Sequence, residues 1–379
     1  MILPYCTVKG SVPQDFSSSG GVRPPPAIPL ASLALPAGAP LSVGKIGVVG
    51  IRPRVIRITS ELYAAAACRL VAQSNPDVET AGRRLVTASG KHGIDLSMIW
   101  ATVEPGNVKP LRRKVRQACL AVLGEGRTAM MFLSEPPREG EPDGATAARI
   151  ERTACISAAC GFLSEKRPRN VCIAQALPDP SDGWALEAYA ASGFLKVGEL
   201  SYLRRPTAGL SAARGLVELP VGDELIAFDA LIEKVGKAKA DEMMVEALDR
   251  SYEQTLDCPE LCGLRATSDV LESHRATGQF DPRLWWLLLS AGEISGCLLL
   301  NPCPEQSTVE LVYVGLARAV RGRQLGRRVL EYGLARACAN RAHWEVACAV
   351  DDRNTGAKKL YDSLGFKPAA RRVALVHPV

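Results

Sequence analysis

The sequence predicts an α/β chain, α+β in its layering, made of two tandem units of one fold. Three observations carry this. At 379 residues the chain has room for two domains of about 150 residues and a tail. Strand-like and helix-like segments recur in the same order in each half. Tyr189, Gly193 and Phe194 return with the same spacing as Tyr361, Gly365 and Phe366. Each triplet closes a short helix that leads into a strand, so an internal duplication is the economical explanation.

The elements follow in order. Residues 1–42 hold 8 Pro, 6 Ser and 4 Gly, with Lys9, Asp15 and Arg23 as the charged side chains. Such a segment buries too little apolar surface to offset its ordering entropy and reads as a disordered tail. The first unit, 43–206, opens with a strand region at 48–58. A helix follows at 61–73 with Ser60 as N-cap, then a helix at 111–123 ended by Gly124. After these come a strand at 128–133, a helix at 145–163, a strand at 171–174, a helix at 184–192 and a strand at 196–203. Residues 205–215 are a linker by composition. The second unit, 207–379, has a helix at 239–251 and strands at 284–289 and 294–300 that turn at Ala291 and Gly292. It continues with a strand at 309–316, a helix at 322–339, a strand at 344–350, a helix at 354–364 and a last strand at 372–376.

Composition excludes several classes. Hydrophobic residues are 47%, charged residues 23%, and 46 Lys+Arg face 40 Asp+Glu, so the net charge is +6. That is ordinary globular composition, and the mild charge with 5% aromatics argues against nucleic acid as a partner. The longest strongly apolar run is six residues, far short of the ~20 that span a membrane. The twelve cysteines show no paired CxxC spacing. No structural metal is expected, and reduced thiols in a cytoplasmic protein are the plain reading.

Chemistry concentrates in two stretches. From 309 to 328 a strand runs into a loop and then a helix. Arg318, Arg321, Arg323, Arg327 and Arg328 crowd this stretch, and no acid lies between Glu310 and Glu331. A helix start offers unpaired amides and partial positive charge, and Gly322 and Gly326 let a ligand approach that backbone. Together they suit an anion, best a pyrophosphate. From 350 to 366 (VDDRNTGAKKLYDSLGF) Asn354 is an N-cap and Tyr361 follows on the same helical face.

The order strand, R-G-R-Q-L-G loop, helix, strand, then N-T-G-A-K-K-L-Y-D-S-L-G-F resembles the GNAT superfamily of acetyl-CoA-dependent N-acyltransferases. The resemblance covers 284–379 and looks most like the mycothiol-synthase-like branch, whose members are also tandem. It implies two GNAT-like domains, each a mixed, mostly antiparallel sheet flanked by helices, with 43–206 a degenerate copy. It implies acetyl-CoA as co-substrate, held at the diphosphate by Arg321, Gly322, Arg323, Gln324, Leu325, Gly326 and Arg327 through backbone amides. The pantetheine arm would pair with Val314, Gly315 and Leu316, and Asn354 would sit near the thioester. Tyr361 would protonate the departing thiolate, and an amide at the strand's end would polarise the thioester carbonyl. One departure stands out. Gln324 occupies a position where the family has Gly; its side chain costs little only if its φ stays negative.

The expected reaction is direct transfer of an acyl group, other than aminoacyl, to the amine of a small molecule. Such an amine is mostly protonated near neutrality, with a reference pKa of about 10.4, so a base must take its proton. Glu310 is the candidate, with His274 and His343 as alternatives. Tyr252, Asp257 and Glu260 are candidates for binding a cationic acceptor. The first unit's loop after its 128–133 strand carries Glu135, Glu139, Glu141 and Asp143 against Arg138, which would repel phosphates. Two other readings stand beside this one: a non-catalytic acyl-CoA-binding or regulatory module, and tRNA-dependent aminoacyl transfer.

Overall fold

The computed structural model describes residues 53–379 except 74, 105–113, 209, 211–217, 340 and 342. The tail at 1–42 therefore lies outside the described residues. The first half runs β1 (Val55–Arg57), α1 (Tyr63–Leu70), α2 (Val78–Lys91), β2 (Ile99–Val103), β3 (Val115–Gly124) and β4 (Thr128–Leu133). It continues with α3 (Gly144–Lys166), β5 (Ile173–Ala176), α4 (Gly183–Ala191) and β6 (Leu195–Pro206). The second half runs β7 (Asp223–Ala227), α5 (Phe228–Val235), α6 (Lys237–Tyr252), α7 (Thr267–Arg275), β8 (Trp285–Ser290) and β9 (Glu293–Cys303). Then come β10 (Thr308–Leu316), α8 (Leu325–Ala337), β11 (Glu345–Asp351), α9 (Thr355–Ser363) and β12 (Lys367–Pro378).

The fold class is the expected one, mixed α/β with helices flanking a mostly antiparallel sheet. The strands form one sheet of twelve, in the order β1-β2-β3-β4-β5-β12-β6-β11-β10-β9-β8-β7. Its centre is an exchange. The last strand of the second half, β12, pairs with β5 of the first. The last strand of the first half, β6, pairs with β11 of the second along Glu345–Asp351. Parallel pairing occurs only twice among these strands, between β4 and β5 and between β10 and β11, and each ladder is three residues long.

The two Tyr–Gly–Phe triplets adopt the same local geometry. The Tyr189 and Phe194 rings lie 4.9 Å apart and tilted, and those of Tyr361 and Phe366 5.5 Å apart and tilted. In both, the Phe amide donates to the Tyr carbonyl across a glycine at φ near +84° (85° at Gly193, 83° at Gly365). A glycine is needed there because L side chains avoid that conformation.

The structure corrects four expectations. The helix expected over 111–123 is a strand where the residues are described: Val115–Gly124 is strand β3, between β2 and β4. Its stretch Ala118–Ala121 is buried on both faces, so the alternation that marks a half-exposed strand is missing. Ser60 starts a short 3-10 turn rather than capping a helix; the α-helix begins at Tyr63. The helix expected from 322 begins at Leu325, because Gly322 and Gln324 adopt left-handed backbone. Among the described residues ten cysteines are free thiols, but Cys303 is disulfide-bonded. The elements α2, β2, β7, α5 and α7 went unread. No helix among the described residues is long and apolar enough to cross a membrane.

The Tyr189 hydroxyl donates to the Met131 carbonyl at 3.0 Å in a fully buried setting. Tyr189→Phe is expected to lower unfolding free energy by about 1 kcal/mol in denaturant melts.

Candidate active site

The site begins where β10 leaves β11. The two strands pair only from Thr308–Glu345 to Glu310–Ala347, although both continue further. A bulge explains the departure. Against β9, Leu311 faces Leu300 and Tyr313 faces Leu299, so Val312 is an extra residue that bends β10 away. Beyond it, the β11-facing edge of β10 has backbone groups with no strand partner.

The bulge and the pleat sort side chains to two faces. Val309 and Leu311 of β10 and Val346, Cys348 and Val350 of β11 pack with α8 and α9, including Tyr361. Glu310, between Val309 and Leu311, therefore points to the opposite face. On that face Ala349 packs with Leu200, Cys258 and Leu261. A cavity of about 600 Å³ is lined from both faces: Tyr361 and Leu360 on one, Glu310, Ala349, Leu200, Asp257, Cys258 and Leu261 on the other. It passes through the split in the sheet.

At one end the cavity meets the start of α8. Gly322 and Gln324 have φ of 80° and 59°, and no atom lies within 4 Å of where a Cβ on Gly322 would be. The first backbone bond of α8 runs from the Arg328 amide to Gln324 O. The amides of Leu325, Gly326 and Arg327 thus belong to those a helix start leaves without intrahelical partners. No acidic residue lies in the first turn. The Arg321 side chain does not reach into this cradle. It donates to Leu316 O at 3.0 Å, Ser251 O at 2.9 Å and Gln254 O at 3.3 Å, which ties the loop to β10 and to the last turn of α6 and the segment after it. Arg323 turns outward to Asp223, at 3.0 Å, and is not part of the lining.

At the other end Glu310 is 1% exposed, and its Oε2 has no hydrogen-bond partner. Burial pushes its carboxyl up to about 8, against a downward pull from Arg204. Burial holds the Tyr361 hydroxyl well above its ordinary value, so it stays protonated. Asn354 caps α9 by accepting from the Ala357 amide at 3.2 Å, and it also lines the cavity. Val314, Gly315 and Leu316 line it on the strand side.

Of the three acceptor candidates, Asp257 alone lines the cavity. Tyr252 packs edge-on against Tyr313 in the core, 5.8 Å away, and Glu260 is bound by Arg353. His274 is buried under Tyr313, stacked at 5.7 Å, and burial pulls it well below its usual value; His343 is exposed. Neither lines the cavity.

Sequence reasoning missed the bracing around Asp257. Asp257 Oδ1 accepts from the Asp351 amide at 2.8 Å, and Asp351 Oδ2 accepts from the Cys258 amide at 3.0 Å. Arg353 donates to Asp351, to Glu260 and to Val197 O of β6. Burial would raise the Asp351 carboxyl, but hydrogen bonds from Arg353 and the Cys258 amide outweigh it and hold it below the usual carboxylate range. Gly198 is required beside this network: a Cβ there would stand 2.7 Å from Asp351 Oδ2. The run D-D-R beside Asn354 was the available signal, but its partners lie 93 residues upstream. The first half's counterpart loop is filled by its own side chains: Glu141 takes Arg152 and Gln117, and Arg69 takes Glu135 O.

Residues 246–366 match the model of the Acetyltransferase (GNAT) family. A GCN5-related N-acetyltransferase from Sphaerobacter thermophilus is 18% identical, with 87% of this chain and 96% of that one covered and a TM-score of 0.51; this likeness is one of fold. A tandem GNAT protein from the clavulanic acid biosynthesis pathway is 16% identical, with coverage of 84% and 92% and a TM-score of 0.42. A GCN5-related N-acetyltransferase from Kribbella flavida is 16% identical, with coverage of 70% and 87% and a TM-score of 0.41. No curated protein matches the chain.

The condition placed on Gln324 fails, since its φ is 59°. A non-glycine residue there is strained, so Gln324→Gly is expected to stabilise the protein by up to about 1 kcal/mol. Chemical denaturation measures this directly.

Proposed function

We propose that the GNAT acetyltransferase domain formed by residues 246–366, completed by the strands around it, moves an acetyl group from acetyl-CoA to the amine of a small molecule. The observation that carries this reading is the cavity through the split between β10 and β11, with Glu310 on one face and Tyr361 on the other. Acetyl-CoA, when bound, supplies a thioester that an amine attacks without a covalent enzyme intermediate. The amides of Leu325, Gly326 and Arg327 would hold its diphosphate, with Gly322 and Gln324 shaping the turn. The open edge at Val314, Gly315 and Leu316 would pair the amides of its arm, as an added strand pairs an edge.

Glu310 takes the proton of the incoming ammonium. Its raised affinity for protons suits this task, because a base titrating near the working pH is the most effective. Tyr361 gives a proton to the departing sulfur from the opposite face. Arg321 positions the loop rather than contacting a phosphate. We read 43–206 as a unit without a coenzyme site, because Glu141 and its arginines fill the matching loop. The competing reading, coenzyme binding without transfer, draws on Gln324 in the cradle. Release of free CoA with an amine panel decides between the two.

Glu310→Gln is expected to lower kcat by about 10²–10³. In the parent protein, the rate corrected for the protonated fraction of the amine should rise with pH and level off above about 8, and the variant should lose that limb. Stability carries the same signature. The folded carboxyl is raised, so its favourable contribution is full below its ordinary value of 4.5 and is lost as pH rises through about 8. Melting curves of the Gln variant should lack this decline. Tyr361→Phe should lower kcat by about 10- to 100-fold with KM for acetyl-CoA unchanged, read from steady-state rates.

A further inference from the structure

Building on the acyl-transfer reading, we propose that the acceptor is an apolar amine that carries no carboxylate or phosphate, bound in an end of the cavity that the first half helps to build. The lining on the Glu310 face is apolar at Leu200, Cys258, Leu261 and Ala349. Its carboxyl oxygens belong to Asp257 and Glu310. The arginines that line the cavity, Arg321 and Arg327, both belong to the loop end, and three carbonyls occupy Arg321. Arg353 lies outside the lining and is taken by Asp351 and Glu260.

An acidic group on the acceptor would therefore be stripped of water beside two carboxyl groups, with no arginine of the lining at that end to receive it. A cationic amine on a hydrocarbon body meets the reverse situation. The carboxyl groups draw its ammonium inward, and the leucines replace water around its body. Glu310, buried and with an unpartnered oxygen, marks the point at which the ammonium arrives. Leu200 comes from β6, so the strand exchange gives the first half a share of acceptor choice.

The test uses the full chain and pairs of amines that differ only by a carboxylate: tyramine with tyrosine, tryptamine with tryptophan, pentylamine with norleucine. Initial rates follow release of free CoA. The amine without the acid should be preferred by about 100-fold in kcat/KM. Leu261→Arg, which places a cation in this end, should shrink that ratio to below about tenfold. The rise in melting temperature with acetyl-CoA shows that the variant is folded; should it not fold, the parent rates decide alone. Equal or better rates with the amino acids overturn the inference and leave acyl transfer standing. So does an unchanged ratio in a variant that keeps its acetyl-CoA shift. If no amine of either kind releases CoA while acetyl-CoA still raises the melting temperature, acyl transfer falls and this inference falls with it.

Discussion

The separation of β10 from β11 after three paired residues is the constraint on which the rest of the site depends. A parallel ladder kept to its full length would close the sheet and leave Glu310 and Tyr361 in separate compartments. The extra residue Val312 starts the divergence, and Arg321 maintains it from the far side by gripping Leu316, Ser251 and Gln254 together. One guanidinium thus fixes the loop before α8 and the segment at the end of α6 in one geometry. A planar donor with several fixed N–H vectors can satisfy three carbonyls at once, which a lysine cannot.

The two faces of the split have opposite electrostatic character. Around the start of α8 there are free amides and no acids in the first turn. On the other side are a buried carboxyl and Asp257, braced by the Asp351 and Arg353 network. Burial alone, without a nearby acid partner, raises Glu310. The adjacent Asp351 stays low because hydrogen bonds from Arg353 and the Cys258 amide offset its burial. Two carboxyls within one site are therefore held in different protonation states by their surroundings.

Much of this was legible in the residues. The order of elements in the second half, the loop from Arg321 to Arg327 and the pairing of Asn354 with Tyr361 are local patterns, and local patterns survive in a linear reading. Strand β3 was not legible, because its doubly buried middle lacks alternation and mimics a helix. The side-chain role of Arg321 was not legible either, since a basic residue in a loop gives no hint that carbonyls will claim it. Leu200 and the Asp351 bracing depend on contacts between distant segments, and no spacing rule brings β6 beside β11. The first half's helix α2 was missed for a plainer reason: its run V-E-T-A-G-R-R-L-V-T-A-S-G-K carries two glycines and threonines that lower helix propensity.

The exchange of β6 and β12 bears on how the chain is made. During synthesis the first half emerges with a slot between β5 and β6 that only the final twelve-residue strand fills. Until β12 has emerged, two strands carry bare edges of the kind that recruit other chains. The nascent chain is therefore exposed to misassociation from the time β6 emerges until β12 follows it, and a loss of residues from β12 would wound the half that was made first.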